Sequence, residues 1–74
     1  MLTVNDLIKT QIIILRTILS DNEPDHDVRV KDFAMLRNCE LMFKIANPFQ
    51  GFERKVLDDG CEFLINELNK MLEK

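Results

Sequence analysis

Hydrophobic side chains recur every three or four residues near the start of the chain, as they do on one face of an α-helix. Thr3 suits the N-cap position, and Asp6 completes a capping pattern ahead of the apolar run. The run from Ile12 to Leu15 also fits a buried strand, but the length of the periodic segment and the cap favour a helix over about residues 3–20. Its apolar face comprises Val4, Leu7, Ile8, Ile12, Ile14, Leu15, Ile18 and Leu19.

The second periodic segment, a helix over about residues 26–46, carries two apolar stripes. A helix that is apolar on two sides is covered on two sides, either by both other helices or by one helix and a second copy of the chain. The broader stripe comprises Val28, Met35, Leu36, Cys39, Met42, Phe43 and Ala46. The second stripe comprises Val30, Ala34, Leu41 and Ile45.

A charged strip surrounding Phe33 completes this helix. One interpretation is a solvated face, on which Glu40 and Lys44 form an exposed i,i+4 pair. The alternative is a docking surface for an anion, with Arg29, Arg37 and Lys44 as the candidate contacts.

The third segment predicts a helix over about residues 49–73. Asn47 and Pro48 mark the boundary before it, because proline disfavours helical geometry in the preceding residue. Gly60 costs about 1 kcal/mol relative to alanine inside a helix, so either another backbone approaches there or Asp59-Gly60 divides the segment into two helices. The main apolar face comprises Leu57, Cys61, Leu64, Ile65, Leu68, Met71 and Leu72.

The connector between the first two helices is acidic. Its carboxylates are expected to complement the positive end of the following helix. A cation site formed by Asp25, His26 and Asp27 is disfavoured, because three adjacent residues do not converge on one ion.

These segments predict an all-α fold, either a three-helix bundle or a helical hairpin plus a helix, in one domain spanning residues 1–74. A chain of 74 residues forms only a small core, which leaves little net stability. Cys39 and Cys61 lie in apolar stretches, so we interpret them as reduced, buried side chains of a cytoplasmic protein. Assembly as a homo-oligomer is the expected source of further burial.

Candidate catalytic chemistry is sparse. The chain has one histidine, His26, one serine, Ser20, and no tyrosine or tryptophan. Two glycines provide no phosphate-binding loop, and no spacing of His and Cys predicts a zinc site. We therefore expect neither an enzyme nor a cofactor or metal.

The distribution of charge also disfavours a nucleic-acid partner. The net charge is +1 over residues 1–20, −4 over 21–27, +2 over 28–47 and −2 over 48–74, so no segment carries a basic stripe. No apolar run reaches the length of a membrane span, so a membrane is not expected either.

Three functional hypotheses follow. The favoured hypothesis is a non-enzymatic protein-interaction module, a small regulator, inhibitor or adaptor that binds itself and another protein. Its predicted interface comprises Ile13, Val30, Phe33, Ala34, Leu41 and Ile45. The first alternative is a binder of small anionic, nucleotide-like ligands with a pocket between subunits. The second is an acidic mimic of nucleic acid, using Glu62, Glu67 and Glu73, that inhibits a nucleic-acid-binding enzyme.

Overall fold

The computed structural model describes residues 1–22, 25–46, 51 and 53–72. Within these ranges the chain forms three helices and no strand: α1 (Val4–Ser20), α2 (His26–Phe43) and α3 (Arg54–Leu72). The predicted all-α class is therefore confirmed for the described residues. None of the helices in these ranges combines the length and the apolar character needed to cross a bilayer.

Helix α1 begins where the capping pattern predicts. The backbone N–H of Asp6 donates to Thr3 Oγ1 at 3.1 Å, and the backbone N–H of Thr3 donates to Asp6 Oδ2 at 3.0 Å. The backbone and side-chain hydrogen bonds from Thr3 lower the pKa of Asp6 below its ordinary value. The β-branched run inside α1 is helical, so the strand alternative is wrong.

Helix α2 starts at an aspartate cap and ends earlier than predicted. Asp25 Oδ1 accepts the backbone N–H of Asp27 at 2.7 Å. The helix ends at Phe43 instead of residue 46, because Lys44 adopts a left-handed conformation with φ of 55°. The backbone N–H groups of Lys44 and Ile45 both donate to the carbonyl of Glu40, which satisfies an otherwise unpaired acceptor at the helix end.

Helix α3 starts at Arg54, later than the predicted residue 49. Gly51 has φ of 111°, which is incompatible with a right-handed helix, and the first helical turn is closed by the backbone N–H of Leu57 donating to the carbonyl of Glu53. The helix continues through Gly60, so the proposed division at that glycine is wrong. The predicted boundary at Asn47 and Pro48 lies outside the described residues.

The core lies mainly between α1 and α3, which pack against each other most extensively. Helix α2 packs chiefly on α3 and touches α1 over a shorter length. Helix α3 therefore contacts both others most fully, whereas one of the two alternatives drawn from the sequence had both other helices packing on α2. The radius of gyration is 12.1 Å, close to the value of about 11 Å for a compact chain of this length. The buried apolar residues are Ile8, Ile12, Leu15, Ile18, Leu36, Cys39, Leu57, Cys61, Leu64, Ile65 and Leu68.

The apolar faces predicted for α1 and α3 are largely those that the core uses. Ile14, Leu19, Met71 and Leu72 pack at its edges, whereas Val4 and Leu7 are exposed. The prediction for α2 is less accurate. Only Leu36 and Cys39 of its broader stripe are fully buried, and Met35, Met42 and Ala46 are exposed.

Candidate interaction surface

Ile13 projects from α1 with 65% of its surface exposed, between two grooves. The first, which we call the α1–α2 groove, has a volume of about 240 Å³. Its walls are Ile13, Ile14, Thr17, Ile18, Asp21, Asp32 and Met35. The second, the α1–α3 groove, has a volume of about 320 Å³ and is lined by Lys9, Ile12, Ile13, Arg16, Asn69 and Leu72. Ile13 thus forms a ridge shared by both.

The remaining predicted interface residues divide into two groups. Val30 and Leu41 are exposed at 38% and 73%, and Ala34 is exposed beside them on α2. Phe33 and Ile45 are half-buried and pack against the core. Since residues advance by 100° around a helix, Met35 and Val30 lie on different edges of α2. The edge that carries Met35 faces α1 and lines the α1–α2 groove together with Ile13.

The three candidate anion contacts do not converge. The Nη2 atom of Arg29 lies 2.7 Å from both Asp21 Oδ2 and Asp32 Oδ2, and the residue is buried. Arg37 Nη1 lies 3.1 Å from Glu40 Oε2, and Lys44 is exposed at the end of α2. The prediction of a solvated strip is therefore wrong for Arg29 and Glu40. The predicted pairing of Glu40 with Lys44 is replaced by a pair with Arg37.

An ionic cluster joins the ends of all three helices. The cluster contains Arg29 with its two carboxylate partners, and it also contains Arg54. The Nη2 group of Arg54 donates to Asn22 Oδ1 at 3.1 Å, and its Nε atom lies 3.6 Å from Asp58 Oδ2. Asp21 and Asn22 follow α1, Arg29 and Asp32 belong to α2, and Arg54 and Asp58 belong to α3. Hydrophobic periodicity assigns charged residues to the outside of a helix, so the sequence pattern gave no signal for this cluster.

The buried charges of α2 are incompletely hydrogen-bonded. Burial raises the pKa of Asp32, and Arg29 opposes the shift. Burial likewise raises the pKa of Glu40, against the opposing effect of Arg37. Among the described residues, Glu40 Oε1 and the Nε and Nη1 atoms of Arg29 have no hydrogen-bond partner, and the 2.7 Å contact between Arg29 Nη2 and Asp32 Oδ2 is an ion pair without hydrogen-bond geometry. The buried charged side chains of α2 therefore reduce the free energy of unfolding.

Both cysteines are buried and free, as the sequence predicts for small hydrophobic side chains. Burial raises the pKa of Cys39 and raises that of Cys61 to about 12. The thiolate, which is the nucleophilic and metal-binding form, is therefore disfavoured at both positions. Within the ranges that the structure describes, no three His, Cys, Asp or Glu side chains cluster closely enough to hold a metal ion.

The acidic positions of α3 are dispersed. Glu62 is exposed, and Glu67 lies 3.4 Å from Lys70 Nζ. Glu73 lies outside the described residues. Of the two members of this set that the structure describes, Glu67 is therefore partly neutralised by an ion pair and Glu62 faces solvent.

Comparisons of the chain with protein-family models, with curated proteins and with solved structures found no match.

Proposed function

We propose that this protein is a non-enzymatic interaction module that associates with itself and binds another protein as a small regulator, inhibitor or adaptor. The observation that carries this proposal is that α2 buries charged side chains while several of its apolar side chains are exposed. This helix buries Arg29, Asp32 and Glu40, whereas it exposes Val30, Met35, Leu41 and Met42.

Exposed apolar side chains and buried charges both reduce the stability of the isolated chain. Burying a leucine-sized side chain stabilises a structure by about 1.5–3 kcal/mol, and this gain is lost where Leu41 and Ile13 remain in water. Buried charges without complete hydrogen bonding are also costly. A second chain laid over α2 and the adjoining face of α1 would cover the exposed apolar side chains. In a core of this size such a contact is a large contribution to stability.

The location proposed for this module is the cytoplasm. Cys39 and Cys61 are both free, which suits a reducing compartment. No observation favours the anionic-ligand alternative, since Arg29 and Arg37 are already paired with carboxylates.

Sedimentation velocity over a range of protein concentrations tests the proposal. We expect the weight-average sedimentation coefficient to rise with concentration, and the rise to be smaller in a variant that carries Leu41→Lys and Ile13→Lys together. Lys55→Glu, an exposed change on α3, is the matched control and should behave as the wild type. A wild-type chain that stays monomeric at every concentration would contradict self-association.

A further inference from the structure

We infer that the α1–α3 groove binds an acidic amphipathic helix of a partner protein, whose carboxylates pair with Lys9 and Arg16 and whose apolar side chains cover Ile13. This inference rests on the proposed function, since it names the chemistry of the other protein that the module binds. It places that partner on the side of Ile13 that faces α3, away from the α1–α2 groove.

The two grooves on either side of Ile13 carry opposite charges. The charged side chains that line the α1–α3 groove are Lys9 and Arg16, both basic. Those that line the α1–α2 groove are Asp21 and Asp32, both acidic. The α1–α3 groove therefore presents positive charge, although the whole chain has a net charge of −3. Because complementary charges select partners, this groove favours an acidic surface.

Both basic side chains of the α1–α3 groove are available to a partner. Lys9 and Arg16 are exposed, and neither forms an ion pair with another residue in the ranges that the structure describes. Asp6, one turn before Lys9, already accepts the backbone N–H of Thr3 in the capping box. Each of the other three arginines of the chain contacts a carboxylate, so Arg16 differs from them in having no such contact.

The spacing along α1 suits a helical partner. One stripe of the groove has the i, i+3, i+4 and i+7 spacing of a helix face, and it comprises Lys9, Ile12, Ile13 and Arg16. The two cations are therefore about 10.5 Å apart along the helix axis, with two isoleucines between them. A partner helix with two acids seven residues apart matches this distance, and apolar residues between its acids cover the isoleucines. A small inorganic anion offers nothing apolar to cover Ile13, which is 65% exposed.

Two synthetic helical peptides that differ only in charge test this inference. The first has two glutamates seven residues apart, with leucines three and four residues after the first glutamate, and the second has lysines in place of the glutamates. Fluorescence anisotropy at low ionic strength should show that the glutamate peptide binds about tenfold more tightly or better, because like charges oppose the lysine peptide. Added salt should reduce this preference. Equal binding of the two peptides, or binding of neither, overturns the inference.

Charge reversal identifies the groove as the binding site. A variant that carries Lys9→Glu and Arg16→Glu should prefer the lysine peptide. The matched control carries Lys31→Glu and Lys55→Glu, which change exposed lysines that line neither groove and alter the net charge by the same amount. This control should keep the preference of the wild type. Loss of the preference in the control would show that net charge and not the groove selects the peptide.

Two further measurements distinguish other occupants of the groove. The charge-reversed variant should keep the concentration dependence of the wild type in sedimentation velocity, and loss of that dependence would assign the groove to a second copy. Binding of the wild type to phosphatidylglycerol vesicles that charge reversal abolishes would assign the groove to a lipid surface. Either result overturns the inference. A wild type that is monomeric and still prefers the glutamate peptide supports this inference and contradicts only the proposed self-association.

Discussion

At the scale of single residues, Arg29 pairs with Asp32, one of the two buried carboxylates of α2. The side chains of Arg29 and Asp32 are 8% and 9% exposed. Because water reaches neither charge well, each charge depends on the other for its neutralisation. Breaking such a pair from one side costs far more than replacing both partners, because the remaining charge stays buried.

Arg29→Leu is therefore expected to destabilise the fold by about 3–5 kcal/mol, because Asp32 is left buried without its ion-pair partner. The double variant Arg29→Leu, Asp32→Leu should recover most of this loss. Urea denaturation followed by circular dichroism measures both. Equal destabilisation in the single and double variants would show that the ion pair is not the cause.

The two buried carboxylates of α2, Asp32 and Glu40, make stability depend on pH. Asp32 and Glu40 have folded pKa values above their ordinary values of 3.8 and 4.5, so the folded state binds more protons than the unfolded state between those values and the raised ones. Their contribution to stability is thus greatest at low pH and declines as pH rises through that window. Arg29→Leu should become relatively more stable on acidification. Adding Asp32→Asn to it should remove most of that gain.

The cysteines yield a separate prediction. Since burial raises the pKa of Cys61 to about 12 and also raises that of Cys39, neither thiol should react with a disulfide reagent in the native protein near pH 8. Both should react fully in concentrated denaturant. Rapid reaction of one thiol without denaturant would indicate that it is accessible, contrary to its buried position.

At the scale of helices, the ends differ in how far the sequence determines them. The start of α1 depends on Thr3 and Asp6, three residues apart, so a local pattern is sufficient to predict it. The end of α2 depends on the left-handed Lys44 and on Ile45 packing against the core, which is a contact with distant parts of the chain. The prediction from local periodicity therefore placed the end of that helix too late, at residue 46.

Lys44→Gly tests this helix end. A side chain in the left-handed region is strained and glycine is not, so the substitution should stabilise the protein by about 1 kcal/mol. Lys44→Ala is the control and should give no such gain, because alanine keeps the Cβ atom. Urea midpoints at fixed protein concentration give the comparison. A similar gain from both variants would point to the lost charge instead of the backbone.

The faces of α2 show why the candidate surface was only partly predictable. Ile13, Val30 and Leu41 were expected at an interface, and all three are exposed. Met35 was placed in the broader apolar stripe and not in the predicted interface, yet it is exposed and lines the α1–α2 groove. Arg29 of α2 pairs with Asp21, which follows α1, and such pairing between different elements has no signature in hydrophobic periodicity.

At the scale of the whole molecule, three helices leave part of their apolar surface in water. The chain is compact, and its core is formed mainly by α1 and α3. Helix α2 adds only Leu36 and Cys39 to the fully buried apolar set. If a second chain covers the rest, folding and association are linked, and the stability of the native state depends on protein concentration.

The melting temperature as a function of protein concentration tests this linkage most directly. Scanning calorimetry over about a hundredfold range of concentration should show a melting temperature that rises steadily with concentration, because mass action favours the associated folded state. In the Ile13→Lys variant the rise should be much smaller. A wild-type melting temperature that is high and constant across the whole range would contradict the account, since the isolated chain would then be stable without a neighbour.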